Sequence, residues 1–211
     1  MLCMIENRGL FMENNIIEES GLKFQFPNND TVIKFDYTKF YRDYFNKLPE
    51  AKGVDFISVD KNKIAFIEVK NCTGDEGNCR WRIAPNNQKR NTTHTSVNVE
   101  GRDSLDIEVA QKTAMTVAAL VGAKSFGNTK ECLNELKEYI QFLTNDTFSD
   151  DSKKKYVILF LKGDFGGKTR TKKMIMQALQ NSMNKKLQWI NCRVSVVDSD
   201  TYDPILFQIV S

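Results

Sequence analysis

Three stretches of the chain are apolar at nearly every position. Val54 to Val59 and Lys63 to Lys70 flank a short polar turn, and Tyr156 to Leu161 follows much later. Strands that are covered on both faces are apolar in this way, whereas half-exposed strands alternate. We therefore expect buried strands of a sheet here, and Arg193 to Val197 and Ile205 to Val210 are expected to be closing strands near the end of the sequence.

Apolar residues at helical spacing predict four helices. The first carries an aromatic stripe from Tyr37 to Leu48, which we expect in the core, with Asp36 as its N-cap and Pro49 as its stop. The other predicted helices cover about 104–123, 130–143 and 171–187.

Two short alternating runs near the N-terminus, Leu22 to Phe26 and Thr31 to Phe35, are joined by Pro27 to Asp30. This pattern predicts a half-buried β-hairpin over residues 21–35. Residues 71–103 are polar and without period, which predicts a long functional or mobile loop. Because no linker interrupts the chain, we expect one α/β domain over residues 1–211, with a central mixed sheet flanked by helices.

The composition is that of an ordinary globular protein, with 41% hydrophobic and 27% charged residues. No apolar run approaches the roughly 20 residues that a membrane helix needs, and the N-terminal stretch lacks the pattern of a signal peptide. The five cysteines are an odd number, which argues against a disulfide framework. We expect a cytoplasmic protein without membrane contact.

Two carboxylates are expected to face each other across the hairpin of the first two buried strands. Either plausible loop pairs residues whose numbers sum to 123, which places Asp55 opposite Glu68. Like charges at this spacing destabilise a sheet, and Lys70 on the same face is only one compensating charge. A net negative pocket of oxygen ligands suits a hard divalent cation such as Mg²⁺.

An apolar strand with an Asp, a polar turn and an apolar strand ending in Glu-x-Lys resembles the PD-(D/E)XK nuclease superfamily, with a spacing similar to that of archaeal Holliday-junction resolvases. The resemblance implies a restriction-endonuclease-like fold and a DNA nuclease that uses Mg²⁺ or Mn²⁺. It implies that Asp55, Glu68 and the carbonyl of Val69 hold the metal, and that Lys70 orients the attacking water. Many such enzymes form dimers, so a homodimer is a further expectation.

The sequence departs from the superfamily pattern at several positions. Val54 stands where many members have Pro, and the first helix offers only Asp43, on its polar side. Glu50, in the turn after that helix, is our candidate for the third acidic ligand. On the helix after the motif, Gln111 and Lys112 are the candidates for a further catalytic residue.

The later part of the chain is strongly basic. Residues 152–193 hold eleven Lys or Arg against one acid, Asp164, although the net charge of the whole chain is only +3. Such a segment attracts a polyanion, or it forms an ordinary solvated surface. Cations crowd the predicted start of the last helix, where an anion would compensate them, and we expect DNA phosphate contacts there. These cations are Lys168, Arg170, Lys172 and Lys173.

Two other functions remain open at the sequence level. The first alternative is nucleotide binding, because the order of a buried strand, a glycine-containing loop at 163–169 and a helix is similar to that around a nucleotide-binding loop. However, the first glycine of the loop, Gly163, comes one residue late for this pattern. The second alternative is a nuclease-like fold without catalysis, which serves as a DNA-binding or assembly module.

Overall fold

The structure, a computed structural model, describes residues 11–73, 80–88, 102–127 and 129–210. Its centre is a mixed five-stranded sheet in the order β3-β4-β5-β6-β7. The first two pairs are antiparallel and the last two are parallel. The strands are β3 (Thr31–Lys34), β4 (Phe56–Val59), β5 (Lys63–Asn71), β6 (Lys154–Lys162) and β7 (Arg193–Val197).

The register of the β4–β5 hairpin confirms the prediction. Phe56 pairs with Ile67 and Val59 with Ile64, so the residue numbers sum to 123. The β4 strand begins one residue after Asp55, which lies in a bend at the end of the ladder. The carboxylate is therefore placed at the rim of the hairpin.

A second sheet contains β1 (Phe11–Glu19), β2 (Leu22–Pro27) and β8 (Gln208–Val210), in the order β1-β2-β8. The predicted hairpin over 21–35 is wrong, because β2 pairs with β1 and β8, whereas β3 pairs with β4. The turn at Pro27 to Asp30 instead carries the chain from one sheet to the other. Asp30 holds it there, since its buried carboxylate accepts hydrogen bonds from Ser58 and Lys63.

The α-helices that accompany the sheets in the described ranges include α1 (Lys39–Asp43), α2 (Leu105–Ala123), α3 (Lys137–Thr144) and α4 (Lys172–Leu187), and residues 80–82 within the predicted loop are also helical. Helices α2, α3 and α4 lie in segments predicted to be helical, but residues 131–136 form a 3-10 helix where α-helix was expected. The first predicted helix was too long, because only Lys39–Asp43 of the stripe is α-helical. Thr38 caps α1, Asp36 lies in a preceding 3-10 turn, and Tyr37 and Leu48 are more than half exposed.

The five-stranded sheet has different neighbours on its two faces. Side chains such as Ile57 and Phe66 pack against the helices, as predicted. On the opposite face, Phe56 and Ile67 pack against the three-stranded sheet through buried rings that include Phe24. The α/β class is thus confirmed, and the face that carries Ile57 and Phe66 is also the face of Glu68.

No helix in the described ranges is long and apolar enough to cross a membrane. Most of the predicted loop at 71–103 lies outside the described residues, which include 71–73, 80–88 and 102–103 of it.

Candidate functional site

Asp55 lies at the rim of the β4–β5 hairpin, where its side chain contacts the next strand. Its Oδ2 accepts a hydrogen bond from the backbone N–H of Val69 at 2.8 Å. The N–H and C=O of one strand residue point to the same edge, so the carbonyl of Val69 also faces the Asp55 side. One carboxylate and one carbonyl are therefore available at this edge.

Glu68 is fully buried on the helix-facing side of β5. Its Oε1 accepts from the ammonium groups of Lys70 and Lys112, each at 2.6 Å. Its Oε2 is also buried and has no hydrogen-bond partner among the described residues. Burial raises the pKa of this carboxyl, and the charge of Asp55 adds to the rise, although the two lysines oppose it. Among the described residues, only one of the two carboxylate oxygens of Glu68 therefore has hydrogen-bond partners, and the whole group is shielded from solvent.

Lys112 is the residue of α2 that reaches both carboxylates. Its Nζ lies 2.6 Å from Glu68 Oε1 and 3.6 Å from Asp55 Oδ1. Glu108, one helical turn earlier, lies 3.1 Å from the Lys70 ammonium and also contacts Arg82. We call Asp55, Glu68, Lys70, Glu108, Lys112 and Arg82 the acid–lysine cluster.

The cluster holds three acids and three cations, so its formal charge is zero. The pocket is thus less negative than the predicted set of two carboxylates and one ammonium, because Lys112 and Arg82 add two cations while Glu108 adds one acid. Burial would lower the pKa of Lys70, but Glu68 and Glu108 outweigh it and raise that pKa. Lys70 is accordingly a charged ammonium group at neutral pH.

Asp36 is a further acid near the cluster, and its only predicted role was that of a helix N-cap. It lies just after β3, whose Lys34 pairs with Phe56, and so beside the start of β4. One carboxylate oxygen is buried without a hydrogen-bond partner in the described part of the chain. Burial raises the pKa of Asp36, and the charge of Asp55 raises it further, which indicates that the two carboxylates are near each other.

The other predicted site residues are placed less centrally. Gln111 is exposed on α2, and its neighbour Lys112 contacts the carboxylates instead. Glu50 lies in an exposed turn with a φ of 59°, and its role as a ligand stays a prediction. Within the described ranges, no group of three or more His, Cys, Asp or Glu side chains is close enough to form a ready metal site.

The basic segment is used in two ways. Several of its lysines support the fold: Lys155 donates to the carbonyl of Phe148, and Lys186 pairs with the buried Asp106. In contrast, Lys168, Arg170 and Lys173 are exposed, and Lys172 lies partly exposed beside Asp164. The predicted phosphate contacts are therefore on a surface that a ligand can reach.

Lys168 and Arg170 lie on the wall of a cavity of about 700 Å³. The loop between β6 and α4 forms one side of this cavity, and residues 80 and 83 contribute to the other. The sequence interpretation missed Arg80, because a polar loop without period gives no signal of which side chains converge.

Residues 38–211 match a protein family described as a family of unknown function, DUF6661. The match covers well over half of the chain. The chain belongs to this family. No curated protein and no solved structure matches it.

The DUF6661 match contains the whole acid–lysine cluster and the cavity, whereas Asp36 lies two residues before it. The cluster members Glu108 and Arg82 were missed at the sequence level. A signal for Glu108 was available, since it stands one helical turn before Lys112 and so shares its face.

Proposed function

We propose that the chain is a divalent-metal-dependent nuclease that hydrolyses phosphodiester bonds in DNA. The observation that carries this proposal is the buried Oε2 of Glu68, which has no partner in the part of the chain that the structure describes, next to a rim where Asp55 offers a second carboxylate. A buried carboxylate oxygen without a partner costs free energy, which a bound cation would remove. The order of an antiparallel hairpin, a helix and a parallel strand agrees with the resemblance to PD-(D/E)XK nucleases.

The donors fit Mg²⁺ or Mn²⁺, because all of them are oxygens. Asp55, Glu68 and the carbonyl of Val69 would hold the metal, with Asp36 as the nearest additional acid and Glu50 as the earlier candidate. When bound, such a metal activates a water molecule and neutralises charge on the phosphate. Lys112, which already lies between Asp55 and Glu68, marks a position where a cation is favourable.

Lys70 has a defined part in this proposal. Its ammonium is held by Glu68 and Glu108, which raise its pKa and keep it protonated. A protonated lysine donates hydrogen bonds but accepts no proton, so Lys70 would orient the attacking water or the phosphate oxygen. It would not serve as the general base.

The direct test incubates plasmid, linear and branched DNA with the protein and Mg²⁺ or Mn²⁺. We expect cleavage by the wild type and a loss of at least about a hundredfold in Asp55→Asn, Glu68→Gln and Lys70→Met, because each removes a group that acts on the metal or the water. The same cleavage assay compares the remaining candidate residues through the variants Asp36→Asn, Glu50→Gln and Gln111→Ala.

The matched control is Glu131→Gln, which neutralises an exposed acid away from the cluster and should leave cleavage unchanged. Circular dichroism of every variant separates loss of activity from loss of fold. Cleavage that survives in folded Asp55→Asn, Glu68→Gln and Lys70→Met would overturn the proposal.

A second candidate function is a nuclease-like DNA-binding or assembly module without catalysis. The observation that favours it is the formal neutrality of the acid–lysine cluster, since balanced ion pairs stabilise a fold without any metal. DNA binding without cleavage of any DNA form, and without cation binding, would support this alternative. The minor nucleotide-binding hypothesis for residues 163–169 predicts tight ATP binding instead, and the expected homodimer stays a prediction.

A further inference from the structure

The cavity of about 700 Å³ at the carboxyl ends of the parallel strands has an apolar floor and a cationic rim. Ile83, Phe165 and Ile175 are buried and form part of its lining. The rim cations Arg80, Lys168 and Arg170 are exposed. Ligand pockets for small organic molecules have about this size, and they combine apolar walls with a few charged groups.

The loop that carries two of these cations is held in place by local contacts. The N–H of Gly167 donates to the carbonyl of Arg170 at 2.8 Å, and the side chain of Thr171 accepts from the N–H of Met174. At its start, Gly163 packs against Thr73 so closely that a β-carbon would lie 2.5 Å from the threonine hydroxyl. A site fixed in advance loses less entropy when it binds a ligand.

The charges of the rim indicate the kind of ligand. Three cations stand against one acid, Asp164, which is itself 3.8 Å from the ammonium of Lys172. A phosphate monoester carries about −1.5 to −2 at neutral pH, more than the single charge of an internal phosphodiester. The excess of positive charge therefore suits a terminal phosphate, and guanidinium groups match its geometry.

The cavity adjoins the acid–lysine cluster. Arg80 and Ile83 line the cavity, while Arg82 between them contacts Glu108, which in turn contacts Lys70. One short stretch of chain thus contributes to both sites.

We infer that this cavity is a phosphate-monoester site that takes the phosphorylated end of a nucleic-acid strand, a use of the cavity that rests on the function proposed above. The terminal phosphate contacts Arg80, Lys168 and Arg170, and the adjoining nucleotide lies over the apolar floor. The strand then continues toward the acid–lysine cluster, so the protein would act preferentially near phosphorylated ends.

Binding can be measured without cleavage, in EDTA and at constant salt. The chain has two tryptophans, and Trp81 directly follows Arg80 whereas Trp189 is at the far end of α4. Trp189→Phe therefore leaves one fluorescent reporter beside the cavity. The probes are inorganic phosphate, thymidine monophosphate, and one labelled oligonucleotide with a 5′-phosphate, a 3′-phosphate or two hydroxyl ends.

We expect an oligonucleotide with one of the two terminal phosphates to bind at least about tenfold more tightly than the hydroxyl form, because charge-assisted hydrogen bonds form only with the former. Arg80→Gln, Lys168→Gln and Arg170→Gln should each reduce this preference, and the triple variant should remove it. Lys185→Gln, an exposed cation on the last turn of α4, is the control and should preserve it.

Equal binding of phosphorylated and hydroxyl oligonucleotides would overturn the inference, and so would a preference that the triple variant retains. Binding of thymidine monophosphate alone, with no effect of strand phosphorylation, would overturn the assignment to a strand end. Because no metal is present, this result is independent of the cleavage test. A protein that prefers phosphorylated ends but cleaves no DNA would contradict only the proposed nuclease.

Discussion

At the scale of single residues, the unusual feature is Glu68, which has two ammonium groups on Oε1 and, among the described residues, no partner for the buried Oε2. Lys112 occupies the place between Glu68 and Asp55 that a metal ion would compete for. In the proposed metal centre, Lys112 would therefore partly set the affinity for cations.

We predict that Lys112→Met raises the affinity for Ca²⁺ about tenfold, because it removes a positive charge that lies 2.6 Å from Glu68 and 3.6 Å from Asp55 in a poorly hydrated setting. Isothermal titration calorimetry with Ca²⁺ and Mn²⁺, without DNA, measures the change.

The control for this prediction is Lys61→Met, an exposed lysine in the β4–β5 turn, which should leave Ca²⁺ affinity unchanged. Lower or unchanged affinity in a folded Lys112→Met would contradict the prediction. If Lys112→Met also unfolded at a much lower urea concentration than the wild type, the result would favour the non-catalytic module.

Some of these residues could be predicted from sequence, and others could not. Side chains alternate with a period of two in any strand, so the facing of Asp55 and Glu68 required only the register of one hairpin. Asp36 was missed because an Asp before a helical stripe is a common N-cap. Arg82 comes from the distant polar segment 71–103, where no local sequence pattern specifies the fold.

At the scale of elements, the two predicted hairpins had opposite outcomes for a physical reason. Both plausible loops of the β4–β5 hairpin gave one register, and the structure has it. The turn at Pro27 to Asp30 has suitable residues for a hairpin, but the chain there is governed by contacts that are distant in sequence. The carboxylate of Asp30 binds Ser58 and Lys63 on the other sheet.

The β6–α4 loop depends on a glycine at its first position. Gly163 has a φ of 99°, and an added β-carbon would lie 2.6 Å from the backbone N of Thr73. We predict that Gly163→Ala lowers the free energy of unfolding by about 2–3 kcal/mol, because the left-handed backbone and the close approach both disfavour a side chain. Urea unfolding followed by circular dichroism gives this value.

Gly167→Ala provides the comparison within the same loop, since a β-carbon there meets no atom of the described residues within 4 Å. Its effect should stay within about 0.5 kcal/mol. Equal stabilities of the two alanine variants would contradict the prediction.

At the scale of the whole molecule, two sheets and a layer of helices enclose two apolar cores. The helical core was predictable, because long periodic segments identify helices and their buried faces. The packing of sheet on sheet was not, because β1 has a weak pattern and β8 contains only three residues. The positions of β1 and β8 are set by their pairing with β2 rather than by their own sequence patterns.

A buried carboxylate, that of Asp106, links helices α2 and α4. Its carboxylate accepts from Ser104 in its own helix cap and from Ser182 and Lys186 on α4. Burial would raise the pKa of Asp106, but these hydrogen bonds outweigh it and lower the pKa below the ordinary range. A lowered pKa in the folded state means that the ionised form stabilises the fold.

The sign of the pH dependence follows from this lowered pKa. The contribution of Asp106 is complete above the ordinary aspartate pKa of about 4, and it is lost as the pH falls through the lower pKa of the folded state. We predict that Asp106→Asn reduces the free energy of unfolding by about 2 kcal/mol at pH 7, since it weakens charge-assisted hydrogen bonds in a buried site. The difference from the wild type should shrink progressively below about pH 4.

Urea unfolding at intervals from pH 7 to pH 3 measures this difference in the free energy of unfolding. The exposed Asp43→Asn is the control, and its stability should follow that of the wild type throughout. A difference that stays constant down to pH 3 would show that Asp106 acts through its shape and not through its charge.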